Sequence, residues 1–252
     1  MRRTAHEIFE RVEDNAHAEL RRAARALAFS GFAGGLTMGL TGLSVATALA
    51  MLPSSPSSVF VAYLVYPVGF IAVIIGRAQL FTENTLYPVA LILSEHRHVV
   101  DTARLWGVVF TCNVLGAAAF SALAIRTDAL SPEISRQLVR LGTQLAGGSG
   151  SHIFWSAVIG GWLIALVAWL VTASHWTIGQ IAVIWLLTFV VGIGRFSHCI
   201  ASSAEIMAAV FGGSVPLRQY LHWLALAAAG NIFGGVTMVT LLNFGQVKAG
   251  EE

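Results

Sequence analysis

Charge is scarce in this chain. Of its 252 residues 11% are charged, 15 basic against 13 acidic, and the formal net charge is +2. That balance makes no case for a nucleic-acid partner, which calls for a concentrated basic surface. Cysteine is scarcer still. The two present, Cys112 and Cys199, lie inside apolar stretches without metal-ligand spacing, so they read as small apolar residues rather than as a disulfide or a metal site. What the chain has in abundance is hydrophobic residue. At 56% of the total and a mean hydropathy of +0.73, it falls in the polytopic membrane class.

Six spans are expected, near 27–52, 59–93, 105–125, 153–173, 177–211 and 219–245. The first follows a charged leader and is too long for a signal-peptide core, so it is expected to be retained. Two of the six misfit. Residues 59–93 and 177–211 are each 35 long. A single helix of that length runs about 52 Å against a hydrocarbon core of about 30 Å, while two full spans need about 40 residues plus a turn. Both stretches are apolar at the ends and polar in the middle. Arg77, Gln79, Thr82, Glu83 and Asn84 occupy one centre; Arg195, Ser197, His198, Ser202, Ser203 and Glu205 occupy the other. Ionisable groups at membrane depth face a cavity or a partner, so each stretch reads as a helix broken at mid-membrane.

The two stretches begin 118 residues apart. That offset lays Gly76-Arg77 on Gly194-Arg195, Asn113-x-x-Gly116 on Asn231-x-x-Gly234, and Gly42 on Gly160. The coincidence predicts an all-α channel domain over 27–247, built as two inverted three-helix repeats at about 27–125 and 153–245. An even span count puts both termini on one side. That side carries nine basic residues, among them Arg2, Arg11, Arg25, Arg97, Arg104 and Lys248, against four on the other (Arg126, Arg136, Arg140 and Arg218), which predicts cytoplasmic termini.

Outside the breaks, residues 1–26 hold an amphipathic lead-in helix, with Glu7–Arg11 and Glu19–Arg22 at helical spacing and Ile8, Val12 and Leu20 near one face. It is expected to be solvated. Loop 94–104, with His96, Arg97, His98, Asp101 and Arg104, reads as solvated too, rather than as a metal site. In 126–152, Ser131-Pro132 starts a helix, Ile134, Leu138, Leu141 and Leu145 form its stripe, and Gly147-Gly148 ends it, which predicts an interfacial helix on the outer surface. Gly31, Gly35 and Gly39, and again Gly230 and Gly234, stand four apart and invite close helix approach.

With the breaks and the two Asn-x-x-Gly helices in hand, the chain resembles the formate/nitrite transporter family over all six spans. The pieces that carry the resemblance are Leu80-Phe81-Thr82, the lone His198 of the second break, Asn113-Val-Leu-Gly116 and Asn231-Ile-Phe-Gly234-Gly235. The run from Arg77 to Thr85 is most similar to a divergent bacterial inner-membrane branch. The resemblance implies an aquaporin-like fold in the lipid bilayer, a homopentamer with one pore per protomer, and no enzymatic step or cofactor. It implies passage of small monovalent anions or their weak acids, such as formate, nitrite, hydrosulfide or lactate. It also implies that His198 is the central pore residue, Thr82 its partner, Leu80 and Phe81 a hydrophobic constriction, and Asn231 a polar pore-lining group. The sequence departs from the family where Ser197 replaces a common Glu, where Ser202 replaces a frequent Asn, and where 147–152 (GGSGSH) lacks a lysine.

An imidazole with an unperturbed pKa of about 6.5 can give an entering anion a hydrogen bond or a proton. A weak acid so neutralised crosses an apolar constriction more easily than its anion. For the break charges two readings stand. In one, Arg77 and Arg195 pair with Glu83 and Glu205, with at least one bridge crossing between the breaks. In the other, an arginine faces the pore in place of the missing lysine. Two further functions are weighed: a haem-binding redox protein using His198 and His222, and a neutral-solute channel, against which stands the absence of an Asn-Pro-Ala pair at either break.

Overall fold

The structure, a computed structural model, describes residues 3–250, which are helical with no strand among them. Arg2, counted above with the basic residues of the terminal side, lies outside them. Helix α1 spans Ala5–Leu20, α2 Ala24–Met51, α3 Pro56–Tyr63, α4 Val68–Ile75, α5 Tyr87–Glu95 and α6 Val99–Arg126. Helix α7 spans Pro132–Ala146, α8 Gly150–Ala173, α9 Thr177–Ile193, α10 Ala201–Phe211, α11 Leu217–Gly235 and α12 Leu242–Ala249. Among the described residues, five helical runs are long and apolar enough to cross a membrane: α2, α3 with α4, α6, α8, and α11 continued through α12. Helices α9 and α10 are apolar but shorter.

Local chemistry sets most of the helix starts. Ser55, Ser131 and Ser149 accept from the backbone N–H three residues on, and proline fills the first helical position after Ser55 and Ser131. Pro67, which has no N–H to donate, sits in a turn at 64–67 held by i→i−3 bonds, and this separates α3 from α4. Between α11 and α12, Val236–Leu241 widens to a π-helix. There the Thr240 hydroxyl donates to the Thr85 carbonyl at 3.1 Å, tying the wide turn to the first break.

Helix α2 crosses α6, and α8 crosses α11, at backbone contact. A side chain on Gly35 would stand 1.9 Å from the Asn113 carbonyl oxygen, and one on Gly161 would stand 2.2 Å from that of Asn231. Gly31 and Gly39 continue the α2 line against α6, Gly116 answers from α6, and Gly230 and Gly234 meet α8. The glycine stripes thus serve packing within the chain.

The pairing of Gly42 with Gly160 does not hold. Gly160 abuts the Ser197 carbonyl, and the residue that abuts the corresponding Gln79 carbonyl is Gly34. In the same register, Ser30 accepts from the Gln79 amide at 3.1 Å and Ser156 from the Ser197 amide at 3.0 Å. These pairs stand 126 residues apart, eight more than the breaks themselves. The surplus is taken up by a longer α2 and by the turn at 64–67.

Two surface helices are more deeply engaged than their sequences suggest. Helix α1 is not solvated: it buries Ile8, Phe9, Val12, Ala16 and Leu20 against α5, α8 and α12, with Phe9 on Phe244 at 5.9 Å between ring centroids. A capping box starts it, Thr4 accepting from the Glu7 amide while Glu7 accepts from the Thr4 amide. Helix α7 packs on α2 and α10 through Leu138, Leu141, Gly142 and Ala146, so it covers the second break from the side opposite α1.

Candidate functional site

Each break begins with the same turn. Arg77 donates to the Ile74 carbonyl and Ala78 to that of Val73; Arg195 donates to the Gly192 carbonyl and Phe196 to that of Val191. This is the Schellman pattern, in which a left-handed residue, usually glycine, ends the helix. Here arginine takes that position twice, with φ of 57° at Arg77 and 52° at Arg195. The left-handed turn lifts both side chains out of the helix line, and both residues are exposed.

A buried asparagine then holds each irregular strand of chain. The Asn113 Oδ1 accepts from the Phe81 amide at 2.9 Å, and its Nδ2 donates to the carbonyls of Gly31 and Gln79 at 2.6 and 2.9 Å. The Asn231 Oδ1 accepts from the Cys199 amide at 2.8 Å, and its Nδ2 donates to Ala157 and Ser197 at 2.7 and 2.9 Å. Each amide satisfies backbone groups that the broken helices leave unpaired. Asn231, which the family resemblance places on the pore wall, has both its amide hydrogens committed to this framework.

His198 and Thr82 meet where the two breaks converge. Both are fully buried, and the imidazole Nε2 lies 2.8 Å from the Thr82 Oγ1. The other ring nitrogen, Nδ1, accepts from the Ile200 and Ala201 amides at 3.3 and 3.0 Å, at the start of α10. Those two donors fix the tautomer: Nδ1 is the acceptor, so Nε2 carries the hydrogen and donates it to Thr82. The Thr82 hydroxyl hydrogen is then directed to some other acceptor. A second proton on the ring would have to enter at Nδ1, where two amide hydrogens already point. The ring therefore acts as a hydrogen-bond donor, which narrows the expectation that it gives either a hydrogen bond or a proton. Phe70 stands edge-on to it, 5.1 Å between centroids.

A vestibule approaches this pair from each side. On the side of the termini a cavity of about 220 Å³ is lined by Arg77, Gln79, Leu80, Glu83 and Asn84, with Asn15 and Glu19 of α1 at its mouth. On the far side a cavity of about 170 Å³ is lined by Tyr63, Gln144, His152, Arg195 and Ser197. A neighbouring cavity of about 310 Å³ shares Tyr63, Gln144 and Arg195 with it. Leu80 closes the first vestibule towards the centre. Phe81 does not line either: it packs against Trp106 and Phe110 of α6, at 5.7 and 4.9 Å between centroids.

The expected salt bridges are absent. Among the described residues neither Arg77 nor Arg195 forms an ion pair with Glu83 or Glu205, and the arginines occupy opposite vestibules rather than meeting at the midplane. The physical reason is exposure. Lone buried charges would demand carboxylate partners, but the left-handed turns carry both guanidinium groups into open cavities where water solvates them. Arg195 instead contacts the Gln144 side chain at 3.4 Å. The haem reading fails as well. Both ring nitrogens of His198 are engaged, and His222 is exposed on α11.

Several lining residues carry no signal in the sequence. Asn15, Glu19, Gln144 and Tyr63 reach the vestibules only because α1, α7 and α3 fold over the breaks. Gln79 and Ser197 were legible as parts of the polar centres. Their carbonyls are the ones held by Asn113 and Asn231.

Two vestibules on opposite sides of a buried histidine–threonine pair, held between two broken helices, define a membrane channel or transporter. The comparisons with known proteins agree. The family model described as formate/nitrite transporter matches residues 6–245. The chain is 34% identical to the inner membrane protein YfdC of Escherichia coli (strain K12), over 96% of this chain and 78% of that one. It is 32% identical to a probable formate transporter of Methanothermobacter thermautotrophicus, over 71% of each. Among solved structures, an FNT family ion channel superposes with a TM-score of 0.85 at 18% identity, covering 95% of this chain and 98% of that one. A pentameric formate channel with formate bound superposes with a TM-score of 0.75 at 17% identity, covering 87% and 96%. The chain belongs to the formate/nitrite transporter family.

Proposed function

We propose that this protein passes small monovalent anions, or the weak acids they form, through one pore in each protomer. The observation that carries the reading is the His198–Thr82 pair, 2.8 Å apart and fully buried between two vestibules that each present an arginine. Arg77 and Arg195 draw the anion into either mouth and stand in for the lysine that 147–152 lacks. Leu80 bars a hydrated ion, because stripping water from a charge in apolar surroundings is costly. The Thr82 hydroxyl, polarised by the His198 Nε2–H, offers the dehydrated substrate a donor at the narrowest point. Protons enter with the substrate from the vestibule water, and passage of the neutral acid accounts for a proton-linked mode.

The repeated hydrogen bonds at the breaks support an architecture of two inverted three-helix repeats with six spans, α3–α5 and α9–α10 being the broken ones. The nine-to-four distribution of basic residues supports cytoplasmic termini, and the relative named as an inner membrane protein supports that membrane. The pentameric formate channel among the solved structures supports a homopentamer. Exposed apolar residues such as Phe29, Leu115, Trp155 and Leu186 leave the chain's outer surface available to both lipid and neighbouring protomers.

Flux of formate, nitrite, hydrosulfide, acetate and lactate into proteoliposomes at two pH values tests the function. Uptake of at least one, faster at the lower pH, is the expected result. No uptake of any, with the purified oligomer intact, would overturn it.

A further inference from the structure

Three side chains outside the pore converge on the terminal face from three separate segments. His17 comes from α1, Glu95 ends α5, and His98 precedes α6. The His17 Nε2 lies 2.8 Å from the Glu95 Oε1, and the His98 Nε2 lies 3.0 Å from the Glu95 Oε2. The three ligand-capable atoms all fall within 4.8 Å of one another. The two imidazoles stand nearly perpendicular, 5.8 Å between centroids, and both Nε2 atoms face the Glu95 carboxylate. His96 and His98 both have left-handed backbones, with φ of 54° and 73°, and this sharp double turn is what brings His98 back over Glu95.

We propose that His17, Glu95 and His98 form a site for a first-row divalent transition-metal ion of the zinc class, and that the ion clamps α1 to the end of α5. The donor chemistry fits. Two imidazole nitrogens and one carboxylate are a ligand set such ions favour, and a water completes four-coordination. With metal–ligand bonds of about 2.0–2.1 Å, tetrahedral donors stand roughly 3.4 Å apart, a spacing these side chains reach by small rotations. His98 also has the outer-shell partner that metal-binding imidazoles use: its Nδ1 lies 3.6 Å from the Asp101 carboxylate.

Arg97 is the competing cation. Its guanidinium touches the same Glu95 oxygen as His98, yet the side chain is 68% exposed and can swing into water when an ion takes the place. The site is half-buried and open to solvent. The consequence reaches the pore mouth, because His17 lies between Asn15 and Glu19, the two α1 residues of the vestibule wall. An ion at His17 fixes the helix that forms that wall.

The experiment is a Zn²⁺ titration of the purified full-length protein by calorimetry, independent of any flux. One ion per chain is expected in the wild type. Affinity should fall at least about tenfold in His17→Ala and in His98→Ala, as expected for loss of a direct ligand. It should rise in Arg97→Ala, where the competitor is gone. Unchanged affinity in both histidine variants, or no saturable binding, would overturn the site. Trypsin cleavage after Arg11 and Arg21 reads the clamp. Zn²⁺ should slow it in the wild type and not in His17→Ala, and equal rates with and without Zn²⁺ in the wild type would overturn the clamp.

Discussion

The break after α4 and the break after α9 carry the same hydrogen bonds 118 residues apart: a left-handed arginine, a six-residue helix-ending loop, and an asparagine that ties the irregular chain to two neighbouring helices. Side chains at the remaining matched positions differ. Leu80 stands where His198 stands, Phe81 where Cys199 stands, and Thr82 where Ile200 stands. The repeated positions hold the backbone, and the unrepeated ones set the chemistry of the centre. A symmetric pair would place two imidazoles, or two apolar groups, across the pore. Divergence gives one imidazole, one hydroxyl and one apolar barrier instead, with the α10 N-terminus serving the imidazole rather than the substrate.

Asn113→Leu and Asn231→Leu give the largest expected effect and test the equivalence of the two frameworks. Each would orphan two buried backbone groups of the irregular segment, the Phe81 amide and Gln79 carbonyl or the Cys199 amide and Ser197 carbonyl, at about 1–3 kcal/mol apiece, enough to weaken assembly severely. Thermal melting of the oligomer checks this. If one variant assembles normally while the other does not, the frameworks are not equivalent.

The centre comes next. His198→Phe should retain assembly and lose transport by up to roughly tenfold, the factor set by losing the neutral hydrogen bond of about 0.5–1.5 kcal/mol that polarises the Thr82 hydroxyl. Proteoliposome flux at wild-type rates would show instead that His198 is a packing residue. Arg77→Gln and Arg195→Gln should act more mildly, each slowing entry chiefly from its own side. Because the charges are exposed, the deficit should shrink as ionic strength rises towards 1 M, where screening falls to about 3 Å. Equal effects from both sides would break the assignment of one arginine to each vestibule.

The smallest effect concerns the covering helices. Glu7 in α1 is held below the ordinary carboxylate range by the Thr4 backbone hydrogen bond, and Glu133 in α7 by its own backbone amide and then by Arg136. Both folded values lie below the unfolded one. Their contribution is therefore complete above the ordinary carboxylate pKa and is lost as pH falls through the lowered values. Amide exchange in the first turns of both helices should accelerate, relative to the cores of the same helices, as pH falls below the ordinary carboxylate range. In Glu7→Gln the α1 change should vanish while that of α7 remains.

Much of the site was legible because membrane burial makes polarity conspicuous. Arg77, Thr82, Arg195 and His198 stand out of apolar sequence, and the Asn-x-x-Gly pairs repeat at the same interval as the breaks. The register of α2 was not legible. With 25 glycines in the chain, Gly42 matched Gly160 by spacing alone, while the contacts pair Gly34 and Gly35 with Gly160 and Gly161. The family resemblance places Phe81 beside Leu80 in the constriction, yet its ring packs on Trp106 and Phe110 of α6, a contact between distant segments that hydropathy does not register.

The sequence by itself determined which segments are apolar, where two of them must break, and which polar groups gather at the breaks. Those properties follow from local composition against the fixed thickness of a bilayer. Only the tertiary structure decided that the arginines open outward with no ion pair among the described residues, that His198 is a fixed donor, and that α1 and α7 close over the two mouths. Each of these depends on backbone conformation or on contacts between segments far apart in the chain. The left-handed φ at Arg77 and Arg195, and the two amides on the His198 Nδ1, have no counterpart in hydropathy or spacing.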